Sequence, residues 1–287
     1  MSDRCLVMGV VNITDDSFSD GAHFNTHATA IEHARELVAQ GADIIDVGGE
    51  STRPGATRVP EEVELQRVVP VIRELSAAGI ATSVDTMRAS VAEACAAAGV
   101  TYLNDVSGGL ADPNMYRVMA ETGLDSILMH WATERFGDAA GAAHHGNVVG
   151  DVRDGLRRLV ENATDAGVDQ ARIILDPGLG FAKTDRDNWE LLKDTTNLAD
   201  SGFRVLIGAS RKRFLQDVVR ARRALSAGPE AHVDPLDADL PTAVVSALSA
   251  AAGAWAVRVH DVAASKDAVE VAHRWTTGGS TLPVQEG

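Results

Sequence analysis

Three cations stand side by side in GASRKRF (208–214): Arg211, Lys212 and Arg213. The chain around them has 287 residues and a formal net charge of −15, so solubility does not explain them. Cations clustered against an acidic background point to a local anionic or electron-rich partner. A second basic group follows in RVHD (258–261), where Arg258 and His260 alternate with apolar or capping residues. Carboxylates and amides complete the set: Asn12, Asp46, Asp85, Asn104, Asp105 and Asp176 each sit in or at the end of a short apolar run. Lys212, Arg258 and His260 are read as facing an anionic group of a substrate. Arg211 and Arg213 are either contacts to it or solvated charges. A carboxylate such as Asp176 suits a ligand edge with paired N–H donors, as a guanidine-like heterocycle presents. Asp and Asn oxygens suit Mg2+ bridging to a phosphate better than zinc.

The elements that must position these groups recur along the whole chain. Residues 5–12, 42–49, 81–86, 101–106, 126–130, 172–178, 204–210 and 255–261 read as strands rich in Val, Ile and Leu. Helix-period segments separate them at 28–40, 61–78, 89–98, 114–121, 152–166, 186–200, 242–252 and 263–274. Gly41, Gly79, Gly99, Gly123, Gly167 and Gly202 stand where a helix ends before the next strand. Strict alternation predicts an α/β fold with a parallel sheet, and eight units favour closure into a (β/α)8 barrel. It would form a single domain over 1–287, with a tail from about 276; an open doubly wound sheet is the alternative.

Polar residues at the C-terminal ends of all the strands would then share the active-site face of a barrel. Asp112 and Asp261 are read instead as helix caps. Two segments break the rhythm: 131–150, rich in Gly and Ala, and 220–239, an acidic insertion with Pro; both are read as variable loops.

Composition removes several function classes. A sequence pI of about 4.9 argues against nucleic-acid and anionic-membrane partners. With 45% hydrophobic and 4% aromatic residues, the core must be aliphatic, as in a parallel sheet covered by helices. The uncharged run from Leu240 to Val257 is read as a buried helix followed by a strand. Cys5 and Cys95 lie far apart in apolar runs, as buried thiols of a reducing compartment do, and the N-terminus shows no signal-peptide core, so a cytoplasmic protein is expected. His144-His145 reads as solvated, and no phosphate-binding glycine loop, dinucleotide fingerprint or Ser-His-Asp motif is evident.

VMGVVNITDDSFSDG, GADIIDVGGESTRPGA, SVDT, NDVSGG, DPGLGF, GASRKRF and RVHDV occur in this order. Together they resemble the dihydropteroate synthase family from about Cys5 to Trp275. The resemblance implies a (β/α)8 barrel, commonly a homodimer and a sulfonamide target. It also implies a reaction joining p-aminobenzoate to 6-hydroxymethyl-7,8-dihydropterin diphosphate, with release of pyrophosphate and formation of 7,8-dihydropteroate. By this resemblance Asp85, Asn104, Asp176 and Lys212 would line the pterin pocket. Asn12, Arg258 and His260 would hold the diphosphate, Asn12 through Mg2+. Phe18, Asp20, Thr52, Arg53 and Pro54 lie on two loops that would close over the site and shape the p-aminobenzoate pocket, with Phe181 and Lys212 as its other wall. Asp20, Lys212, Arg258 and His260 would carry the catalysis, a dissociative displacement through a pterin carbocation. Lys212 thereby passes from the anion to the pterin. Lys212→Ala and Arg258→Ala are expected to cut turnover without unfolding the barrel.

Ala22 and Arg213 depart from the family's usual residues. Two rival readings are a methyltetrahydrofolate:corrinoid methyltransferase-like pterin barrel and a silent pterin-binding paralogue. Neither needs the Thr52-Arg53-Pro54 loop, Lys212 and the diphosphate cations together.

Overall fold

The computed structural model describes residues 4–13, 26–50, 58–131, 146–228 and 232–279. Eight parallel strands close on themselves in chain order: β1 (Leu6–Asn12), β2 (Ile44–Gly48), β3 (Thr82–Asp85), β4 (Tyr102–Asp105), β5 (Asp125–Met129), β6 (Ile173–Asp176), β7 (Arg204–Ile207) and β8 (Ala256–Val259). β8 returns to β1 with Leu6 opposite Ala256 and Met8 opposite Arg258. The sheet therefore has no edge, and the expected (β/α)8 barrel is the observed fold.

Side chains of a strand alternate between faces, and here both faces are apolar. The outward set, including Val7, Val11, Ile45, Val47, Val84, Leu103, Leu128, Leu175, Val205, Ile207 and Val257, packs against the surrounding helices. The inward set forms a separate cluster of Met8, Ile44, Ile127, Ile174, Leu206 and Ala256, with Leu6, Ala81, Tyr102 and Trp255 packed on it. Two residues further along the same strands, on the same inward face, stand Asp46 after Ile44, Asn104 after Tyr102, Asp176 after Ile174 and Arg258 after Ala256. Period two thus places a polar layer directly above a filled aliphatic plug.

The helices are α1 (Thr26–Ala39), α2 (Glu61–Ala77), α3 (Ala89–Ala97), α4 (Met115–Thr122), α5 (Val148–Asp165), α6 (Asp185–Lys193), α7 (Thr195–Ala199), α8 (Arg213–Ala227), α9 (Asp239–Ala251) and α10 (Val262–Thr277). The glycines expected at helix ends adopt the left-handed backbone that a turn into the next strand requires, as at Gly41 (φ 102°) and Gly167 (φ 96°). Asp261 caps α10 by accepting the Ala264 N–H, and Asp112 accepts the Ala89 N–H at the start of α3.

Two expectations need correction. Residues 186–200 form two helices, not one: the chain breaks at Asp194, whose carboxylate accepts from Arg153 and from Asn197. Residues 220–239 are not a loop. Their first eight continue α8, which buries Phe214, Leu215 and Val219. After Val233 a short 3-10 turn at Pro235–Ala238, capped by Asp234, leads into α9. The run 240–257 is helix and strand, as expected, and among the described residues no helix is long and apolar enough to cross a membrane.

The aliphatic plug carries much of the barrel's stability. Ile127→Ala, at a fully buried inward position, is expected to lower the unfolding free energy by about 2–5 kcal/mol. A urea titration followed by circular dichroism measures it.

Candidate active site

Above the plug, β8 sends Arg258 across the barrel. Its Nε donates to Asp46 Oδ2 at 2.6 Å and its Nη2 to Asp85 Oδ2 at 2.8 Å. Asp46 is fully buried, and it also accepts from Asn104 Nδ2, 3.3 Å from each carboxylate oxygen. β2, β3, β4 and β8 are therefore tied together by one polar network. Burial pushes Asp85 up to about 7, opposed by Arg258 and reinforced by Asp46. Burial lowers the Arg258 pKa, but the two carboxylates outweigh it and hold the guanidinium charged well beyond the physiological range.

Asn12 ends β1 opposite Gly48. A side-chain carbon on Gly48 would lie 3.3 Å from Asn12 Oδ1 and 3.6 Å from the Asp85 Cβ. Glycine there keeps a space open between the amide and the carboxylate.

The other half of the mouth comes from β6 and β7. Asp176 accepts the Gly178 N–H at 2.7 Å, which fixes the turn of DPGLGF over its own strand. Lys212 reaches back from the start of α8, donates to the Leu179 carbonyl, and places its ammonium 4.7 Å from the centre of the Phe181 ring. Phe181 stacks at a tilt on Trp131, centroids 5.3 Å apart, and both rest on Met87, Val106 and Met129. A cation, a carboxylate and an aromatic wall thus meet in one corner. Burial lowers Lys212 to about 8, with Asp176 opposing and Arg258 adding to the shift. Burial raises Asp176, against the pull of Lys212.

His260 hangs beside this corner. Its N–H donates to Ser210 Oγ at 3.1 Å, and the same hydroxyl lies 2.9 Å from Nδ1. One hydroxyl thus holds both the backbone and the ring of His260.

Asn12, Asp85, Asn104, Asp176, Phe181, Lys212, Arg258 and His260 all lie at or just beyond strand ends on one face. Phe18, Asp20, Thr52, Arg53 and Pro54 lie outside the described residues. Three participants were not singled out from the sequence. Asp46 was read only as one strand end among eight, yet it is the buried partner of Arg258. Glu50, at the end of β2, accepts from Arg58, Arg88 and the Val59 N–H, and Arg88 also pairs with buried Glu64. Lys183 is buried behind Phe181, 3.0 Å from its carbonyl oxygen and 3.3 Å from His130 Nδ1. Burial and neighbouring Lys212 lower Lys183 to about 7. Its only sequence signal was its place seven residues after the strand end at Asp176.

A closed (β/α)8 barrel with a carboxylate, an amide, a lysine and an arginine on its C-terminal face has the architecture of a barrel enzyme. The chain belongs to the pterin binding enzyme family, whose sequence profile matches residues 8–260. Within that family it is similar to the dihydropteroate synthase of Mycobacterium leprae, with 48% identity over 277 residues that cover 96% of this chain and 95% of the relative. Among solved structures it resembles Xanthomonas albilineans dihydropteroate synthase with 4-aminobenzoic acid, at a TM-score of 0.85 and 39% identity, covering 98% of this chain and 95% of that one. The same enzyme in complex with 7,8-dihydropteroate matches at a TM-score of 0.81 and 36% identity, with the same coverage. The dihydropteroate synthase reading holds, and neither rival does.

The network around Arg258 revises the expectation that its loss spares the fold. Arg258→Met leaves Asp46 and Asp85 buried without their counter-charge and is expected to cost about 3–5 kcal/mol of stability. Urea unfolding of this variant beside Lys212→Ala, which strips no carboxylate of a direct partner, provides the comparison.

Proposed function

We propose that the mouth of this barrel performs the dihydropteroate synthase reaction, joining p-aminobenzoate to 6-hydroxymethyl-7,8-dihydropterin diphosphate. The observation that carries the reading is the corner where Asp176, Lys212 and the Phe181 ring converge, facing the network of Asp85, Asn104 and Arg258. Asp176 and Asn104 read the N–H and carbonyl edge of the pterin; Asp85 closes the opposite side. Lys212 lies between pterin and aminobenzoate, with Phe181 as the apolar wall for the aromatic ring. Phe18, Thr52, Arg53 and Pro54 complete the aminobenzoate pocket.

The arylamine is neutral near pH 7 and needs no strong base. The difficult step is cleavage of the carbon–oxygen bond, in which pyrophosphate departs with the bonding electron pair. Arg258 and His260 stabilise the negative charge that builds there. Asp20 stabilises the positive charge left on the pterin methylene. The arylamine lone pair then forms the carbon–nitrogen bond, and the nitrogen loses a proton to give dihydropteroate.

Among the described residues no group of three His, Cys, Asp or Glu side chains stands ready for a metal, while Asn12 offers one amide oxygen at the end of β1. That donor set fits Mg2+, which takes one or two protein oxygens and completes its shell with waters and substrate phosphates. Asn12 would hold the ion, whose charge, when bound, offsets that of the leaving pyrophosphate.

Two copies would pair through α9 and α10. Leu240, Val244 and Leu248 are exposed at i, i+4 and i+8 on α9, and Val271 and Trp275 follow on α10, Trp275 at 86% exposure. A stripe of this kind marks an interface. A cytoplasmic location accords with Cys5 and Cys95, both free and buried.

Pyrophosphate release from the pterin diphosphate with Mg2+ is expected to accelerate on adding p-aminobenzoate, with dihydropteroate appearing in step. Release indifferent to p-aminobenzoate would refute the reading. The pH profile follows from Lys212: its ammonium is present below about pH 8, so kcat/KM is expected to fall as pH rises through that value. Lys212→Arg, charged at every accessible pH, should lack this alkaline limb in whatever activity it keeps. Val244→Asp with Leu248→Asp is expected to halve the mass seen by light scattering.

A further inference from the structure

Among the described residues only two non-glycine residues have positive φ, and they flank the same corner. Ala182 (φ 49°) follows Phe181, and Arg211 (φ 57°) precedes Lys212. The left-handed region is unfavourable for a residue with a side chain, and such strain persists where the surroundings over-determine it.

The surroundings of Arg211 do so from two sides. Its Nε donates to Asp239 Oδ1 at 2.6 Å and its Nη2 to Asp239 Oδ2 at 2.8 Å, a bidentate pair. Its backbone N–H donates to Thr242 Oγ1 at 3.2 Å, and that hydroxyl itself donates to the Ala238 carbonyl at 2.8 Å. Its carbonyl accepts from Gln216 Nε2 at 2.8 Å. Asp239 and Thr242 lie in the first turns of α9, and Gln216 lies in the first turn of α8. The residues on either side of Arg211 point elsewhere: Ser210 holds His260, and Lys212 reaches the Leu179 carbonyl.

We propose that Arg211 is a positioning residue. Locked to Asp239, it holds the left-handed turn that sends Lys212 into the barrel mouth, and its own guanidinium does not touch substrate. The start of α9 thereby becomes the outer brace of the site. The proposal rests on the reading of Lys212 as a substrate contact.

Glycine separates a backbone role from a side-chain role, because it enters the left-handed region freely. Turnover is measured on the full-length enzyme with both substrates, alongside a circular-dichroism melt. Arg211→Ala is expected to lower kcat/KM at least about tenfold while the barrel stays folded, as a misaimed catalytic-site residue does. Arg211→Gly is expected to recover most of that loss. Asp239→Asn should behave like Arg211→Ala, and adding Arg211→Gly to Asp239→Asn should restore activity. Should Arg211→Ala not fold, the last two variants decide by the same criterion. Equal losses in Arg211→Ala and Arg211→Gly would overturn the proposal, because the side chain itself would then be needed. So would wild-type kcat/KM in Arg211→Ala when Lys212→Ala is inactive. Wild-type turnover in Lys212→Ala is a different result, since it would remove Lys212 from the site altogether.

Discussion

One guanidinium between two carboxylates organises the mouth of this barrel. Asp46 is sealed from solvent, and a carboxylate so placed carries a desolvation penalty that only a direct, hydrogen-bonded counter-charge can offset. Arg258 supplies it from the opposite end of the chain, 212 residues away in sequence. By gripping Asp85 as well, and with Asn104 held on Asp46, it fixes the heights of four strand ends relative to one another. The groups with polar work to do are thereby immobilised before any ligand arrives, which is what low reorganisation at a reacting centre requires. The same interaction explains why the aliphatic plug stops at Met8, Ile44 and Ile174. One layer higher, hydrophobic side chains would leave the charges unpaired.

The mouth divides into halves with different physics. The half built on β2, β3, β4 and β8 is an ionic lattice of one guanidinium, two carboxylates and an amide. The half built on β6 and β7 is a cation against an aromatic ring, with Asp176 turned toward its own loop. On the proposed reading a flat heterocycle would lie between Asn104 and Asp176, with its distal anion toward Arg258 and His260. The strained residues Ala182 and Arg211 both belong to the second half, where aim matters more than charge balance.

Much of this was legible in the sequence, for a physical reason. A strand buried on both faces must be a continuous apolar run, and a barrel must end each run with the residue that meets solvent or substrate. Both patterns survive in a single chain, so the eight strands and the polar strand ends could be read directly. Pairing across the barrel leaves no such trace. Asp46 looked like any other strand-end carboxylate because its partner is on β8, and nothing marked Lys183 because the acceptors that surround it come from His130, just after β5, and its own turn. Helix α8 was obscured by local chemistry: Arg220, Arg222 and Arg223 crowd its exposed side, and Gly228-Pro229 follows. Only three buried residues, Phe214, Leu215 and Val219, report its inner face. The break at Asp194 is likewise tertiary, since Arg153 on α5 draws that carboxylate out of the helical register.

An acidic chain that binds anions faces a difficulty, because its overall field opposes the ligand. The cations here meet it in two ways. Arg258 is committed to two carboxylates, so its charge is permanent and its excess field is small. Lys183 is buried beside the charge of Lys212, Lys212 is desolvated in the mouth, and both sit below the ordinary lysine range, at about 7 and about 8. Near neutral pH Lys212 therefore keeps its charge, while Lys183 lies close to its own titration. An anionic or electron-rich ligand placed against Lys212 favours its charged form, and the charged form in turn favours the ligand. Binding and protonation reinforce each other, so a ligand of this kind would raise the pH at which Lys212 loses its charge.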